Sequence, residues 1–493
     1  MRSIATWTLP ITRQSWLTRC PFVARRLPRL ALLMLTTASG CATTLSPSDL
    51  RDAGTVAITN VTVISMRDSV AKHAQTVIIR DGRIAEIGTS ERTRVPPNAT
   101  AVDGTGKFLI PGLIEMHTHT SKTRASALGL FVAYGVTTLR DMGSEHSEVA
   151  RWRSEISAAT RVGPRMIIAG PYLESLRNIQ RMRADPPEAR IEPFERARIP
   201  IASPEEARRV VDSLAALGVD FFKMRTVQDG ATYIALGTAA RAHGKRLVGH
   251  VVTGSAEKFL EGAQAGVEHG FPPTLDSLPR EQRMAFWRAL AARDVGVVPT
   301  LVVTTESVAR PVAYYKALLT DTAANVHPLG DYLSAFLVQD WREQVEELTP
   351  QRRAYFDRLW PIALKHVREM HESGVRVMAG SDVAVLGIFP GATLHEELRL
   401  FVDSVGMTPY EALSSATRVP AEWLGLGDAV GTIEAGKVAD LVLLDADPLA
   451  DITNTRRISA VMLRGRIFLR GDLVALLAAA NAMPDQRAID WLR

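Results

Sequence analysis

Two histidines, His117 and His119, close an apolar run that spans residues 109–116. In an extended strand, residues i and i+2 point to the same side, so these two imidazoles are expected to lie side by side. Neutral imidazoles in that arrangement suit a divalent metal ion, although two solvated loop histidines would give the same spacing. The apolar run itself predicts a strand buried on both faces, which is typical of a parallel sheet.

Four further residues able to bind a metal follow other predicted strands. They are Lys223, His250, His269 and Asp382. Each has a simpler interpretation when taken alone, namely a lysine–carboxylate pair, a core histidine or a helix cap. Together with the histidine pair they make six placements at the ends of five strands, and this recurrence predicts one metal site.

The strands that must position these residues alternate with helical stretches between residues 109 and 424. The candidates are 109–117, 136–141, 165–170, 220–225, 246–251, 266–269, 295–301 and 376–382. Eight such units predict an α/β fold, a (β/α)8 TIM barrel with its active site at the carboxyl ends of the strands. A doubly wound open sheet is the alternative. An irregular stretch at 171–202 and a long helical stretch at 306–372 would lie on the same face as the site.

Two groups of short β-rich runs flank this middle segment, at 55–108 and 425–471. They include 56–64, 76–80 and 83–87 in the first group and 431–433, 440–444, 460–463 and 466–469 in the second. Asp81-Gly82 and Arg464-Gly465 are hairpin turn signals. The two groups predict one small β-sandwich domain built from both ends of the chain, followed by a C-terminal helix over 472–493.

The charge of the chain is concentrated at its start. Residues 1–40 hold six arginines and no lysine or acidic residue, whereas the whole 493-residue chain has a net charge of +5. The folded part is therefore close to neutral, and no nucleic-acid partner is expected.

The same 40 residues predict an export signal. Arginines precede the apolar stretch 30–35, and small residues then lead to Cys41. This order is similar to a bacterial lipoprotein signal, with a lipid on Cys41 and a tether over 41–54. The expected location is the bacterial envelope, with membrane contact only through that lipid. A plain secretory signal or a membrane anchor is the alternative. The other cysteine, Cys20, would leave with the signal, so no disulfide is expected.

Longer motifs carry a resemblance to a known family. They are 108–119 (FLIPGLIEMHTH), 135–141 (GVTTLRD), 379–382 (AGSD) and 431–444 (GTIEAGKVADLVLL). With them the chain resembles the amidohydrolase superfamily, and 391–398 (GATLHEEL) resembles its imidazolonepropionase-like branch, which contains Xaa-Pro dipeptidases.

The resemblance implies two divalent metal ions. One would be held by His117, His119 and Asp382, and the other by His250 and His269. Lys223 would bridge the ions, which requires a carbamate formed from CO2 because an ammonium has no free lone pair. Zinc is the default metal for such ligands, and Mn, Co or Fe are the alternatives. Asp382 would then serve as catalytic base and acid while a metal-activated hydroxide attacks the carbonyl.

Four residues are candidates for substrate binding: Arg225, Tyr233, His395 and Arg140. Arg225 shares the face of Lys223 and could meet a substrate carboxylate, although a structural salt bridge is the equal alternative. His395 could line the cavity or simply pack, and Arg140 could pair with Asp141 to support the ligands. The sequence of residues 224–230 (MRTVQDG) departs from the Gly-rich stretch that usually follows the bridging lysine of related dipeptidases.

The predicted function is hydrolysis of C–N amide bonds in small peptides or N-acyl amino acids, with a homo-oligomer possible. A cyclic amide, lactone or phosphoester hydrolase on the same metals is one alternative. A non-catalytic surface-binding lipoprotein is another, which the complete ligand set disfavours.

Overall fold

The computed structural model describes residues 54–184, 196–252, 256–321, 325–327, 329–330 and 333–482. The predicted signal sequence, Cys41 and the tether up to residue 53 lie outside these residues, as does everything after residue 482. Within the described ranges, no helix has the length and apolarity needed to cross a membrane.

The strands of the described residues belong to three sheets. Their bounds are β1 Val56–Ile64, β2 Ala71–Arg80, β3 Arg83–Thr89, β4 Thr100–Asp103, β5 Phe108–Pro111, β6 Leu113–Thr118, β7 Val136–Asp141, β8 Arg165–Ile168, β9 Tyr172–Ser175, β10 Arg198–Ile201, β11 Phe222–Met224, β12 Leu247–Gly249, β13 Gly266–Glu268, β14 Gly296–Val298, β15 Arg376–Val377, β16 Leu441–Leu444, β17 Ile458–Leu463 and β18 Arg466–Leu469.

Helices separate most of these strands. The α-helices span Thr120–Thr123, Leu128–Ala133, His146–Ser157, Leu176–Ala184, Pro204–Ala216, Gly230–Ala242, Ala256–Glu261, Arg280–Ala291, Val312–Leu318, Ala335–Glu346, Pro350–Glu372, Leu394–Leu400, Pro409–Ser415, Arg418–Trp423 and Arg470–Ala482. Shorter 3-10 helices span Ala125–Ala127, Pro273–Ser277 and Ile452–Arg456, and π-helices span Val303–Val308 and Phe401–Val405.

The largest sheet takes strands from both ends of the chain. Its order is β18-β17-β16-β5-β1-β2-β3, and β4 also pairs with β1. β5 joins the two groups because it runs parallel to β1 and antiparallel to β16. Side chains of both groups, among them Val63, Leu109 and Leu443, form one buried apolar cluster. Both chain ends thus build one sheet, while its description as a two-layer sandwich remains a prediction.

The two predicted hairpin turns are confirmed, and they meet each other. Asp81, Gly82, Arg464 and Gly465 all have positive φ, as a two-residue turn with the twist of the flanking strands requires. A Cβ on Gly82 would lie 2.8 Å from the carbonyl oxygen of Arg464, so only glycine allows this approach. The two turns therefore pack against each other, although their strands are at opposite ends of the strand order.

The predicted strand at 431–433 is wrong. Gly431 has a φ of 92°, which is left-handed backbone outside the range of a strand. Ile433 donates its backbone N–H to Ser65 instead of joining a ladder.

The middle of the chain is an α/β unit with parallel strands. β6, β7 and β8 form one sheet, and the order β10-β9-β11-β12-β13-β14-β15 forms a second. Main-chain hydrogen bonds link the two sheets. One runs from Asp220 N, just before β11, to Ile168 O in β8 (2.8 Å), and the other from Met116 N in β6 to Ala379 O, just after β15 (3.1 Å). The α/β class is confirmed, although strand pairing in the described residues does not define a single closed barrel.

Two predicted segments differ in detail. The run 109–117 is divided at Gly112 between β5 and β6. The N–H of Gly112 donates to Asp440 O, and a Cβ on Gly112 would lie 2.1 Å from Thr137 Oγ1, so this position requires glycine. The stretch 171–202, expected to be irregular, contains β9, the helix Leu176–Ala184 and β10.

Candidate metal centre

The first three candidate ligands meet at the carboxyl end of β6. Nε2 of His117 and Nε2 of His119 each lie 3.3 Å from Oδ1 of Asp382. The two rings are 5.3 Å apart between centroids, as expected for residues i and i+2 of a strand. One ligand atom from each of the three residues lies within 4.8 Å of the others, so this group could hold a metal ion.

Asp382 follows β15 and is buried under the imidazoles. Burial raises the pKa of its carboxyl group, but the neighbouring His117 and His269 and a hydrogen bond from His119 outweigh burial and bring the pKa well below its usual value. Asp382 is therefore ionised at neutral pH, the form that can bind a cation or accept a proton.

Two more imidazoles extend the group. The ring centroid of His269 lies 4.7 Å from that of His117 and 5.0 Å from that of His250. His119, His117, His269 and His250 thus form a row. Burial lowers the pKa of His117 to about 3 and also lowers those of His250 and His269. These three rings are neutral at neutral pH, and neutral imidazole is the form that ligates metals.

Lys223, on β11, is 1% exposed. Among the described residues its Nζ has no hydrogen-bond partner. Burial lowers its pKa to about 8, against the opposing effect of Glu268 and Asp382. The charge of Lys223 in turn contributes to the low pKa values of His250 and His269, so the lysine lies within electrostatic reach of both.

The backbone beneath this group is strained. His269, Thr300 and Asp382 have φ values of 64°, 47° and 59°, in the left-handed region that non-glycine residues avoid. Such conformations cost about 1–3 kcal/mol each and persist only where surrounding contacts fix them. At Thr300 the contact is visible, because its Oγ1 lies 2.8 Å from Nδ1 of His269.

A buried glutamate that sequence reasoning left unused, Glu268, contacts the histidine row. Its Oε2 lies 2.8 Å from Nδ1 of His117, and its carboxylate accepts from Nη2 of Arg140 at 2.8 and 2.9 Å. Alternation along β13 indicates that Glu268 points away from its neighbour His269. The residue it supports, His117, comes from another strand.

Glu115 connects the strand of the histidine pair to the segment that carries Asp382. Its Oε1 accepts from the backbone N–H groups of His117 and Ser381, both at 2.9 Å, and its Oε2 accepts from the Ser381 hydroxyl at 2.7 Å. A charged residue inside the apolar run 109–116 was the signal for this role.

Tyr172 is a further neighbour of the ligands that the sequence did not reveal. Its Oη lies 2.9 Å from Nδ1 of His119, which also faces the carbonyl oxygen of Gly143 at 3.3 Å. Burial raises the pKa of Tyr172 beyond its usual value, so the hydroxyl stays protonated. Tyr172 lies in the stretch expected to be irregular, where no pattern marked it.

Of the four substrate candidates, Arg225 is the one whose side chain is both paired with a carboxylate and partly exposed. Its Nη1 pairs with Oε1 of Glu174 at 3.2 Å, as the salt-bridge alternative predicted, and 34% of the side chain remains exposed. Tyr233 is 3% exposed, and its hydroxyl bonds Gln264 Oε1 at 3.2 Å and Phe259 O at 3.4 Å. The structure does not bring Tyr233 to the ligands.

The other two candidates also need correction. Both ring nitrogens of His395 are engaged inside the fold, Nδ1 with Thr455 Oγ1 at 2.9 Å and Nε2 with Tyr134 O at 3.1 Å. Arg140 is fully buried and bound to Glu268, so it cannot meet a substrate. Neither residue is therefore placed to bind a substrate.

Two buried nitrogen atoms of the candidate ligands support a metal site. Nε2 of His117 and Nζ of Lys223 are buried without a hydrogen-bond partner among the described residues, which is costly unless another group binds there. The donor set of imidazole nitrogen and carboxylate oxygen suits zinc and similar divalent ions.

Comparison with known proteins agrees with this geometry. The amidohydrolase family model matches residues 108–468. The chain belongs to the amidohydrolase family. An imidazolonepropionase from Thermoplasma volcanium is 38% identical over 103 residues, which is 21% of this chain and 24% of that relative. The chain thus matches about a quarter of the length of that curated relative.

Solved structures of the family share the fold over most of their length. A candidate prolidase from Bifidobacterium longum is 25% identical, with a TM-score of 0.66 over 87% of this chain and 99% of that one. A prolidase in complex with N-methylphosphonate-L-proline is 22% identical, with a TM-score of 0.63 over 84% and 100%. The predicted resemblance to the imidazolonepropionase-like and Xaa-Pro dipeptidase-like branch is confirmed.

Proposed function

We propose that this protein is a hydrolase of carbon–nitrogen amide bonds that uses two divalent cations, with small peptides or N-acyl amino acids as substrates. The observation that carries the proposal is the row of four imidazoles beside ionised Asp382 and the amine of Lys223, which has no hydrogen-bond partner among the described residues. Membership in the amidohydrolase family supports it. In this proposal the two linked parallel sheets together form the TIM barrel, with the site at the carboxyl ends of its strands.

His117, His119 and Asp382 would hold one cation, and His250 and His269 the other. A cation there would supply Lewis acidity and lower the pKa of a water from about 15.7 toward 7. Zinc is the expected ion. The low pKa of Lys223 supports its conversion to a bridging carbamate, because the neutral amine is the form that adds CO2, losing one proton as the C–N bond forms.

The residues of the chain have separate tasks in this scheme. Asp382 is ionised, so it accepts a proton from the attacking water and later gives it to the leaving amine. Tyr172 keeps its proton and orients the ring of His119. Arg225, with a third of its side chain exposed, remains the candidate to bind a substrate carboxylate.

The imidazolonepropionase relatives favour a cyclic amide as the second candidate substrate. Lactones and phosphoesters stay in the test set because the same metals can serve them. A non-catalytic binding protein would need neither the full ligand set nor an ionised base beside it.

Metal analysis and a substrate screen test the proposal. After reconstitution with zinc and bicarbonate, the purified protein should bind two equivalents of zinc and hydrolyse members of a dipeptide and N-acyl amino acid library. Chelation should abolish turnover, and zinc should restore it. Fewer than one equivalent would favour the binding protein. Hydrolysis of cyclic amides, lactones or phosphoesters, with no cleavage in the dipeptide and N-acyl amino acid library, would favour the second class.

We also propose that residues 1–40 export the protein to the bacterial envelope and that Cys41 carries its lipid. The Cys41→Ser variant should then move from the membrane fraction to the soluble fraction. An unchanged distribution would reject the lipid anchor.

A further inference from the structure

The strongest unassigned feature is a buried chain of polar contacts behind the histidine row. Arg140, on β7, donates from Nη2 to both carboxylate oxygens of Glu268, and Glu268 contacts Nδ1 of His117 at 2.8 Å. The side chains of all three residues are fully buried. Arg140 also donates from Nε to the carbonyl oxygen of Met116 at 2.7 Å, so it is tied to the residue before His117.

A neutral imidazole has one nitrogen that donates and one that accepts. An ionised carboxylate can only accept, so its contact with Nδ1 of His117 requires the proton to be on Nδ1. The lone pair is then on Nε2, the nitrogen that faces Asp382 at 3.3 Å. Glu268 thereby selects the tautomer and the ring orientation that a cation bound beside Asp382 would need.

We propose that Glu268 is a positioning residue for the metal ligand His117 and that Arg140 acts through Glu268. Burying the charge of Glu268 without a partner would be strongly unfavourable, and the paired charge of Arg140 offsets that desolvation cost. Arg140 is itself fixed between aromatic rings, with Cζ 5.5 Å from the centroid of Phe221 and 5.4 Å from that of Trp423. Three strands, β6, β7 and β13, are thus connected through one ligand.

The inference rests on the proposed two-cation site, and it makes an asymmetric prediction. Only the cation held by His117 should depend on Glu268. In Glu268→Met, one zinc equivalent should bind about 10- to 100-fold more weakly, the usual loss for such supporting residues, and the other should bind as in the wild type. Competition with a chelator dye measures both affinities without substrate.

A double-mutant cycle tests the role of Arg140. Arg140→Met alone should weaken the same equivalent, and it should add little once Glu268 is already methionine, because both act on one ligand. Additive losses would overturn the claim that Arg140 acts through Glu268. Should the methionine variants fail to fold, Glu268→Gln keeps the shape and one acceptor oxygen, and it should show a smaller loss at the same equivalent.

Glu369, on the helix Pro350–Glu372, provides a matched control. It is also a buried glutamate held by an arginine, with Arg283 donating from Nε at 2.9 Å and Nη2 at 2.6 Å, but among the described residues its contacts include no candidate ligand. Glu369→Met should lower the melting temperature of the metal-free protein and leave both zinc affinities unchanged.

If Glu268→Met behaves like this control, the glutamate is merely structural and the proposal is overturned. If the wild type binds a single equivalent, the two-cation proposal fails, yet the affinity of that one zinc in the Glu268 variants still decides whether His117 is positioned as proposed.

Discussion

Thr300 and His269 contact each other across two neighbouring strands, with 2.8 Å between Oγ1 and Nδ1, and both residues are in left-handed backbone. For a β-branched residue this conformation is exceptional. The turn after Thr300 is fixed by Glu397, whose carboxylate oxygens accept from the backbone N–H groups of Leu301 at 3.0 Å and Val302 at 2.8 Å. Buried Glu397 therefore holds the strained backbone of Thr300 in the conformation that points its hydroxyl at the candidate ligand His269.

Thr300→Val keeps the shape and the backbone strain but removes the hydroxyl. Without it, Nδ1 of His269 loses its 2.8 Å partner, and we expect about 10-fold weaker binding of one zinc equivalent. Thr305→Val is the control, because that hydroxyl bonds only Val302 O among the described residues. Equal zinc affinities in the two variants would show that the Thr300 hydroxyl has no part in the site.

Asp382→Asn tests the proton transfer. An amide cannot accept the proton of the attacking water, so in protein fully loaded with zinc kcat should fall by about 10²- to 10⁴-fold. Turnover and metal content should be measured on the same preparation. Wild-type turnover in a zinc-loaded variant would remove the base from the mechanism.

Two tyrosine variants separate a residue beside the ligands from one inside the fold. Tyr172→Phe removes the hydroxyl 2.9 Å from His119 and should lower both zinc affinity and turnover several-fold, on the order of the effect of one orienting group. Tyr233→Phe removes bonds to Gln264 and Phe259 and should cost about 1 kcal/mol of stability with no change in turnover. The reverse pattern would return Tyr233 to the substrate site.

The buried ring of His395 predicts a loss of stability in acid. Burial, with a contribution from the charge of Arg456, lowers its pKa to about 4. The unfolded chain therefore takes up the proton first, so the contribution is complete above about pH 6.5 and is lost as the pH falls through about 4. Between pH 7 and pH 4 the wild type should lose about 3 kcal/mol more than His395→Asn. Parallel denaturant titrations at each pH measure this difference, and matching slopes would contradict it.

Sequence patterns sufficed where one local rule decides the structure. Alternation placed His117 and His119 on one side, and the pair Asp81-Gly82 formed the turn that it encodes. The ends of parallel strands likewise brought His269 and Asp382 together, because parallel strands have their carboxyl ends on the same edge of a sheet.

Side-chain partners between distant strands were beyond such rules. Glu268 contacts His117 and Arg140, and no spacing along the chain encodes that meeting. Tyr233 is near Lys223 in the sequence, but it lies on the helix Gly230–Ala242, whose buried face turns its hydroxyl toward Gln264. Gly112 separates β5, which pairs with β16 from much later in the chain, from β6, which pairs with β7, and no local pattern encodes that change of sheet.

The shared sheet also has a consequence for biosynthesis. β5 pairs with β16, and one residue later the chain enters β6, which leads directly to the histidine pair. The ribosome makes β16 only after residues 112–440, so until then the strand before the first candidate ligands has no partner on that side. A product terminated before β16 would expose that edge, a known route to aggregation, and would lack the support of β16 beside the strand that leads to the candidate metal ligands.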